Sequence, residues 1–224
     1  MTFKEFELDD FKLKVIKNKK NRRLRLSITG SEVKVSIPYY ISYQEGLKFA
    51  KSKKDWIKTK LKPKNIFIDS MKIGKNHTLR LEPCNVTRPS CRINDILISI
   101  KYPLNSDIAN LDLQHYIEKQ INQALKKQAQ VLIPKRTSYL AHRYGFDYQS
   151  VTIKSLKTRW GSCDQNKNLT FNLKIMNLDW ELIDYIILHE LTHTLHMHHQ
   201  EPFWNEMLKI NPKAQTLRLK LKKY

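Results

Sequence analysis

Five of the eight histidines fall within eleven residues: His189, His193, His196, His198 and His199. In an α-helix, residues four apart lie about 40° apart around the axis and ~6 Å apart along it. His189 and His193 therefore project together and can grip one divalent ion. Glu190 follows directly, beside the coordination position that two imidazoles leave open. In such a His-Glu-x-x-His helix the imidazoles hold Zn²⁺ and the carboxylate takes a proton from ion-activated water. The ion brings the pKa of that water down toward ~7. The surroundings favour a cation: the 34 residues from Ile175 to Leu208 contain no Lys or Arg.

One open position for water requires a third protein ligand. The candidates are His196, His198, His199 and a downstream glutamate, Glu201 or Glu206. On a continuous helix His196 would rise ~10 Å above His189, too far to share an ion. His199 fits if the helix ends near residue 196 and the chain folds back, and Pro202 is consistent with an ending nearby. No glycine marks that bend.

These side chains need a scaffold. Ile183, Tyr185, Ile186, Ile187 and Leu188 are apolar on nearly all sides, which predicts a buried metal helix over about residues 180 to 196, with Asp179 as N-cap and Glu181 in the first turn. Upstream, Val151–Leu156 and Leu169–Leu173 are strand-like and flank an Arg159-Trp160-Gly161-Ser162-Cys163 turn. Leu111, Leu113, Tyr116, Ile117, Ile121 and Leu125 keep a 3.6-residue period, predicting a helix from about 107 to 131. Pro134 should break or kink it before a further helical stretch to Tyr144, closed by Gly145. In the first hundred residues, alternation over 11–16, 23–28 and 33–37 predicts a β-meander with a hairpin at Thr29-Gly30-Ser31. A helix over 43–62 is capped by Ser42 and ended by Pro63, and 66–68, 78–81 and 96–100 suggest short strands.

The chain has 224 residues, 41% of them hydrophobic, enough for a substantial core, and a formal charge of +20. Residues 12–80 hold 20 bases against 4 acids. That asymmetry points to an anionic partner, nucleic acid among them, or to a solvated basic surface. The acidic amino terminus lacks the apolar core of a signal peptide and no apolar run could span a bilayer, so a cytoplasmic location without membrane attachment is expected. Cys84, Cys91 and Cys163 form no C-x-x-C pair, which excludes a disulfide framework and a cysteine zinc knuckle.

The runs Lys157-Thr-Arg159-Trp160-Gly161-Ser162-Cys163, Asn168-Leu-Thr-Phe-Asn172-Leu173, Tyr185-Ile-Ile-Leu-His189-Glu-Leu-Thr-His193 and His199-Gln-Glu-Pro-Phe203-Trp204 together resemble the YgjP-like metallopeptidases, relatives of the SprT-like and Wss1-like zincins. The resemblance is strongest over residues 150–210. It implies one zinc ion on His189, His193 and His199, with Glu190 as general base. Asp179-Trp180 stands where many relatives have proline. In the family the Arg159–Cys163 segment lies beside the metal helix, where a strand edge could pair with an extended peptide. Arg159, Trp160 and Ser162 are thus candidate substrate-binding residues, and Arg159 suits a carboxylate or phosphate. The structural alternative has Trp160 packing under the metal helix, Gly161 making a tight turn and Arg159 pairing with an acid such as Asp184. Cys163 is expected to fill space, and Phe203 and Trp204 to clamp the chain after His199.

The expected fold class is α+β: a basic, β-rich amino-terminal part over 1–105 and a zincin-like core over 106–224, its metal helix packed on a small sheet. The leading function is a zinc metallopeptidase acting on polypeptide. A nucleoside triphosphate pyrophosphohydrolase with the same metal site is the alternative, motivated by the basic segment. A nucleic-acid-associated, SprT-like protease or binding module is the third. The stretch Leu217–Lys223 is expected to end a short helix as a solvated basic tail.

Overall fold

Strands β2 (Phe11–Lys17) and β4 (Glu32–Ile37) run parallel side by side, and their inward residues Leu13, Val15, Val33, Val35 and Ile37 are completely buried. The computed structural model describes residues 2–8, 11–29, 32–61 and 66–224. Strand β1 (Phe3–Leu8) pairs antiparallel with β2, and β3 (Arg25–Thr29) antiparallel with β4, giving the order β1-β2-β4-β3. This corrects the meander. Alternation identifies each strand's buried face, but β4 lies between β2 and β3 through a parallel pairing that no local pattern encodes. The hairpin residues Gly30 and Ser31 lie outside the described residues. Helices α1 (Tyr43–Ser52) and α2 (Lys54–Leu61) replace the single expected helix. Ser42 caps α1 in a reciprocal box: its hydroxyl accepts from the Glu45 amide at 3.2 Å, and Glu45 accepts from the Ser42 amide at 2.9 Å. Pro63 lies outside the described residues. Ala50, Ile57 and Leu61 join the sheet's core.

The chain divides into two compact units, the first formed by Met1–Ile68, Pro83–Ser90 and Lys101–Glu118, the second by Asp69–Glu82, Cys91–Ile100 and Lys119–Tyr224. Residues 66–68 are not a strand. The Phe67 backbone is held by the Gln114 side chain, which accepts from its amide at 2.8 Å and donates to its carbonyl at 3.1 Å. Strands β5 (Lys72–Ile73), β6 (His77–Cys84), β7 (Ser90–Ile93) and β8 (Leu97–Pro103) form a sheet in the order β5-β6-β8-β7.

Helix α3 (Leu111–Tyr144) is continuous for 34 residues and runs through Pro134. The expected break is absent because Ile133, Thr137, Leu140 and Ala141 around the proline are all buried. Burying Ile133 and Leu140 is worth ~1.5–3 kcal/mol each, against ~3 kcal/mol for an interior proline. The helix begins three to four residues later than its periodicity suggests, because Asn110 accepts from the amides of Asp112 and Leu113 and caps it there. At the other end Gly145 adopts φ +74°, and the Phe146 amide reaches back to the Ala141 carbonyl at 2.9 Å, the hydrogen bond of a Schellman cap.

A three-stranded sheet follows, in the order β10-β11-β9: β9 (Ser150–Lys154) parallel to β11 (Asn168–Asn172), and β10 (Gly161–Cys163) antiparallel to it on the edge. The expected turn at 159–163 is in part this strand, with Gly161 opposite Phe171 and Cys163 opposite Leu169. A 3-10 turn (Leu173–Asn177) leads to α4 (Trp180–Thr192), α5 (Glu201–Ile210) and α6 (Ala214–Leu221). Leu169, Phe171, Ile175, Met176, Leu182, Ile183, Ile187 and Leu191 are fully buried, and α4 packs against β10, α5 and α6. The fold class is α+β.

Candidate metal centre

Helix α4 places His189 on its last full turn and ends at His193, which is itself the C-cap. The helix therefore stops short of residue 196. Thr194 and Leu195 donate back to the Leu191 and Thr192 carbonyls, tightening the last turn, and the His193 Nδ1 donates to the His196 carbonyl at 3.0 Å. The His193 side chain thus does the folding back that a glycine would otherwise help. That hydrogen bond also fixes the tautomer: Nδ1 carries the proton, and the Nε2 lone pair is free to bind a metal.

The bend returns His199 to the helix face. His199 Nε2 lies 2.9 Å from His189 Nε2 and 3.1 Å from His193 Nε2. Among the described residues, these three side chains are the one group with convergent metal-ligating atoms. His196 contributes its carbonyl, and His198, Glu201 and Glu206 are not part of the group. Tetrahedral zinc with Zn–N bonds of ~2.1 Å holds its nitrogens about 3.4 Å apart, so a small outward movement of three imidazoles would admit the ion. Their protonation suits it. Burial, then the neighbouring imidazoles and Arg218, push His189 down to about 3. Burial also lowers His193 and His199. The neutral form of all three is thereby favoured, as metal ligation requires.

Phe203 on α5 is fully buried, its ring centroid 4.6–4.9 Å from those of all three histidines. Trp204 stacks on His199 at 6.0 Å and 27° and carries the Arg218 guanidinium 4.8 Å from its centroid. Leu217–Lys223 does end a short helix, α6, with Arg218, Leu219, Lys222 and Lys223 exposed, but Ala214 and Leu217 anchor it by burial and Lys213 and Lys220 pair with Glu181 and Asp179. Asp179 spends its carboxylate there and makes no side-chain cap bond to α4.

Glu190 is 6% exposed, and burial pushes its carboxyl up to about 8, opposed only by Arg159. Gly161 on β10 faces it so closely that a Cβ there would lie 2.6 Å from Oε1 and 2.8 Å from Cγ. A cavity of about 230 Å³ opens beside them, lined by Arg159, Trp160, Tyr185, Ile186, His189 and Leu221 among others. Ser162 does not line it: the next residue along a strand faces the other way from Gly161. Asn172 ties the wall down, its side chain donating to the Leu156 and Arg159 carbonyls at 2.8 and 3.0 Å and its amide to the Trp160 carbonyl at 2.8 Å. Asp184 is taken by Arg136, at 2.7 and 2.5 Å, which leaves Arg159 without that partner. Burial, then the nearby Glu190, push the Cys163 thiol up to about 11, and its sulfur is not among the convergent metal-ligating atoms.

Over residues 22–224 the chain matches the family model "YgjP-like, metallopeptidase domain". It belongs to the YgjP-like metallopeptidase family. The match spans nearly the whole chain, and membership carries with it a hydrolase and a catalytic metal. Two solved metallopeptidase zymogens are similar over a smaller part. Abylysin of Pyrococcus abyssi shares 22% identity over 41% of this chain and 93% of its own, at a TM-score of 0.38. Jannalysin of Methanocaldococcus jannaschii shares 26% over 41% and 94%, at 0.37. No curated protein matches the chain. Among the described residues no helix is long and apolar enough to cross a membrane.

Sequence reasoning missed Arg218 and Leu221, because α6 meets the site only through the tertiary fold, and treated Tyr185 as plain core. Its buried hydroxyphenyl ring lies 5.9 Å from the His189 ring and lines the cavity. The one available signal was its position four residues before His189, on the same helix face.

Proposed function

We propose that this YgjP-like chain is a zinc-dependent peptidase whose ion is held by His189, His193 and His199 and whose proton-transfer group is Glu190. The observation that carries the reading is the convergence of three neutral imidazole Nε2 atoms next to a buried carboxyl group with a cavity at its side. The bound ion would supply Lewis acidity and a water made acidic near neutral pH.

The protein's own groups do the rest. Glu190 takes a proton as the water oxygen bonds to the scissile carbonyl carbon, and returns it to the nitrogen as the C–N bond breaks. Its raised affinity for protons suits this exchange, since a base near the working pH both accepts and releases. Gly161 leaves the carboxyl room against β10. Arg159 and Trp160 orient the substrate along the cavity wall that Asn172 fixes. Phe203 keeps the three imidazoles in an apolar setting.

The test is product release by zinc-loaded wild type and Glu190→Gln, offered unfolded polypeptide and a panel of nucleoside triphosphates in parallel. Peptide cleavage by wild type alone, with zinc retained in both proteins, supports the peptidase. Release of nucleoside monophosphate by wild type alone would replace it with the pyrophosphohydrolase.

A further inference from the structure

Residues 17–25 carry six cations, Lys17, Lys19, Lys20, Arg22, Arg23 and Arg25, and no acid. The structure gathers them at one end of the first sheet, where β2 finishes, β3 begins and β4 finishes. The Asn18 amide donates to the Ile37 carbonyl at 2.9 Å and so binds the loop 18–24 to the end of β4. Among the described residues none of the six forms an ion pair, whereas the sheet's lysines farther along are neutralised: Lys12 by Glu7, Lys14 by Glu5 and Lys34 by Glu32. The nearest acid after β4, Glu45, is engaged by Ser42.

The same end exposes two aromatic rings. Tyr39 is 56% and Tyr40 78% exposed. Lys17 donates to the Tyr39 carbonyl at 3.0 Å, and Lys17 and Lys19 lie 5.4 and 5.7 Å from the Tyr39 ring centroid. Tyr39 is thereby fixed among ammonium groups while the Tyr40 ring stands open.

The six cations and two exposed tyrosine rings together offer charge and stacking faces to one ligand. The cations repel one another, and a partner that supplies phosphates and flat apolar faces together would relieve that repulsion and cover the open rings. We propose that this end of the sheet binds single-stranded nucleic acid, with bases stacking on Tyr40 and Tyr39 and phosphates on Lys17, Lys19, Lys20, Arg22 and Arg23. A duplex fits less well, since its grooves are entered by a helix or a two-stranded ribbon and the loop 18–24 is neither. A lipid surface would be met by large aliphatic side chains rather than two tyrosines. The surface lies wholly in the first unit, so the proposal stands or falls independently of the metal centre.

The experiment is fluorescence anisotropy of the full chain with a labelled twelve-residue oligothymidylate, an abasic oligomer of the same length and phosphatidylserine vesicles. The oligothymidylate should bind, with a log–log salt slope of about −3 for some four phosphates engaged. Tyr40→Ala should weaken it on the order of tenfold. Tyr40→Phe, which keeps the ring, should restore it, and Lys19→Glu with Arg22→Glu should abolish it. Equal binding of the abasic oligomer, unchanged binding by Tyr40→Ala, or retention by the vesicles without binding of the oligothymidylate would overturn the proposal.

Discussion

Gly161 and Glu190 are packed face to face: any side chain at position 161 would lie within 3 Å of the Glu190 carboxyl group. The edge strand β10 and the metal helix α4 therefore meet at the residue proposed to move the proton. Gly161→Ala should turn the Glu190 side chain aside and lower kcat by two orders of magnitude or more, while zinc binding is kept. The cost in stability should be modest, about 1–3 kcal/mol, because the displaced atoms end a flexible chain. Steady-state kinetics with metal analysis and denaturant unfolding separate the two effects.

The buried Glu190 carboxyl group should also cost stability in the metal-free protein. Its folded pKa of about 8 stands above the ordinary 4.5, so the folded state binds the proton more tightly and stability falls as pH rises from about 4.5 to 8. Glu190→Gln removes that loss. In chelator, its gain over wild type should be near zero at pH 4 and reach a few kcal/mol at pH 8.5, read from urea unfolding at both values. His189 acts in the opposite sense. Its folded pKa of about 3 lies below the ordinary 6.5, so its contribution is full above pH 6.5 and declines as pH falls toward 3. A gain that does not grow with pH would show Glu190 to be ionised in the folded protein.

The same two groups set the proton balance of metal binding. Three imidazoles already neutral at pH 7 have no proton to release, whereas Glu190 does. Zinc binding at pH 7 should expel about one proton more from wild type than from Glu190→Gln, in which only the zinc-bound water can release a fraction of one. Calorimetry in buffers of different ionisation enthalpy counts them.

Asn172 makes three hydrogen bonds to the segment carrying Arg159 and Trp160. Asn172→Ala removes the side-chain donor to the Leu156 and Arg159 carbonyls and should cost about 1 kcal/mol. It should also raise KM by loosening the cavity wall, with zinc affinity unchanged. A variant that loses zinc in proportion to activity would place Asn172's role in the metal site instead.

What could be read without coordinates was whatever is local. The His189–His193 spacing, the Ser42 capping position and the Gly145 cap each rest on a few neighbouring residues, and the structure places each on the element expected. Non-local pairing was hidden: nothing in 11–17 says that its parallel neighbour is 32–37, with 25–29 outside. Pro134 misled because propensity cannot weigh the burial on both sides of it. Gly161-Ser162-Cys163 carries no strand signal, and it becomes one by pairing with 169–171. His199 could be preferred only by assuming that α4 ends early, and the cause of that ending, the His193 imidazole on the His196 carbonyl, is a product of the folded bend. Arg218 lay beyond reach, since it comes to Trp204 from a helix nineteen residues after His199.

The ligand set is the foundation of the account, and zinc titration of wild type, His199→Ala and His198→Ala in competition with a chelator tests it most directly. Wild type and His198→Ala should bind one equivalent with the same affinity, and His199→Ala should bind at least a hundredfold more weakly. Full zinc occupancy in His199→Ala at the wild-type affinity would contradict the three-histidine site.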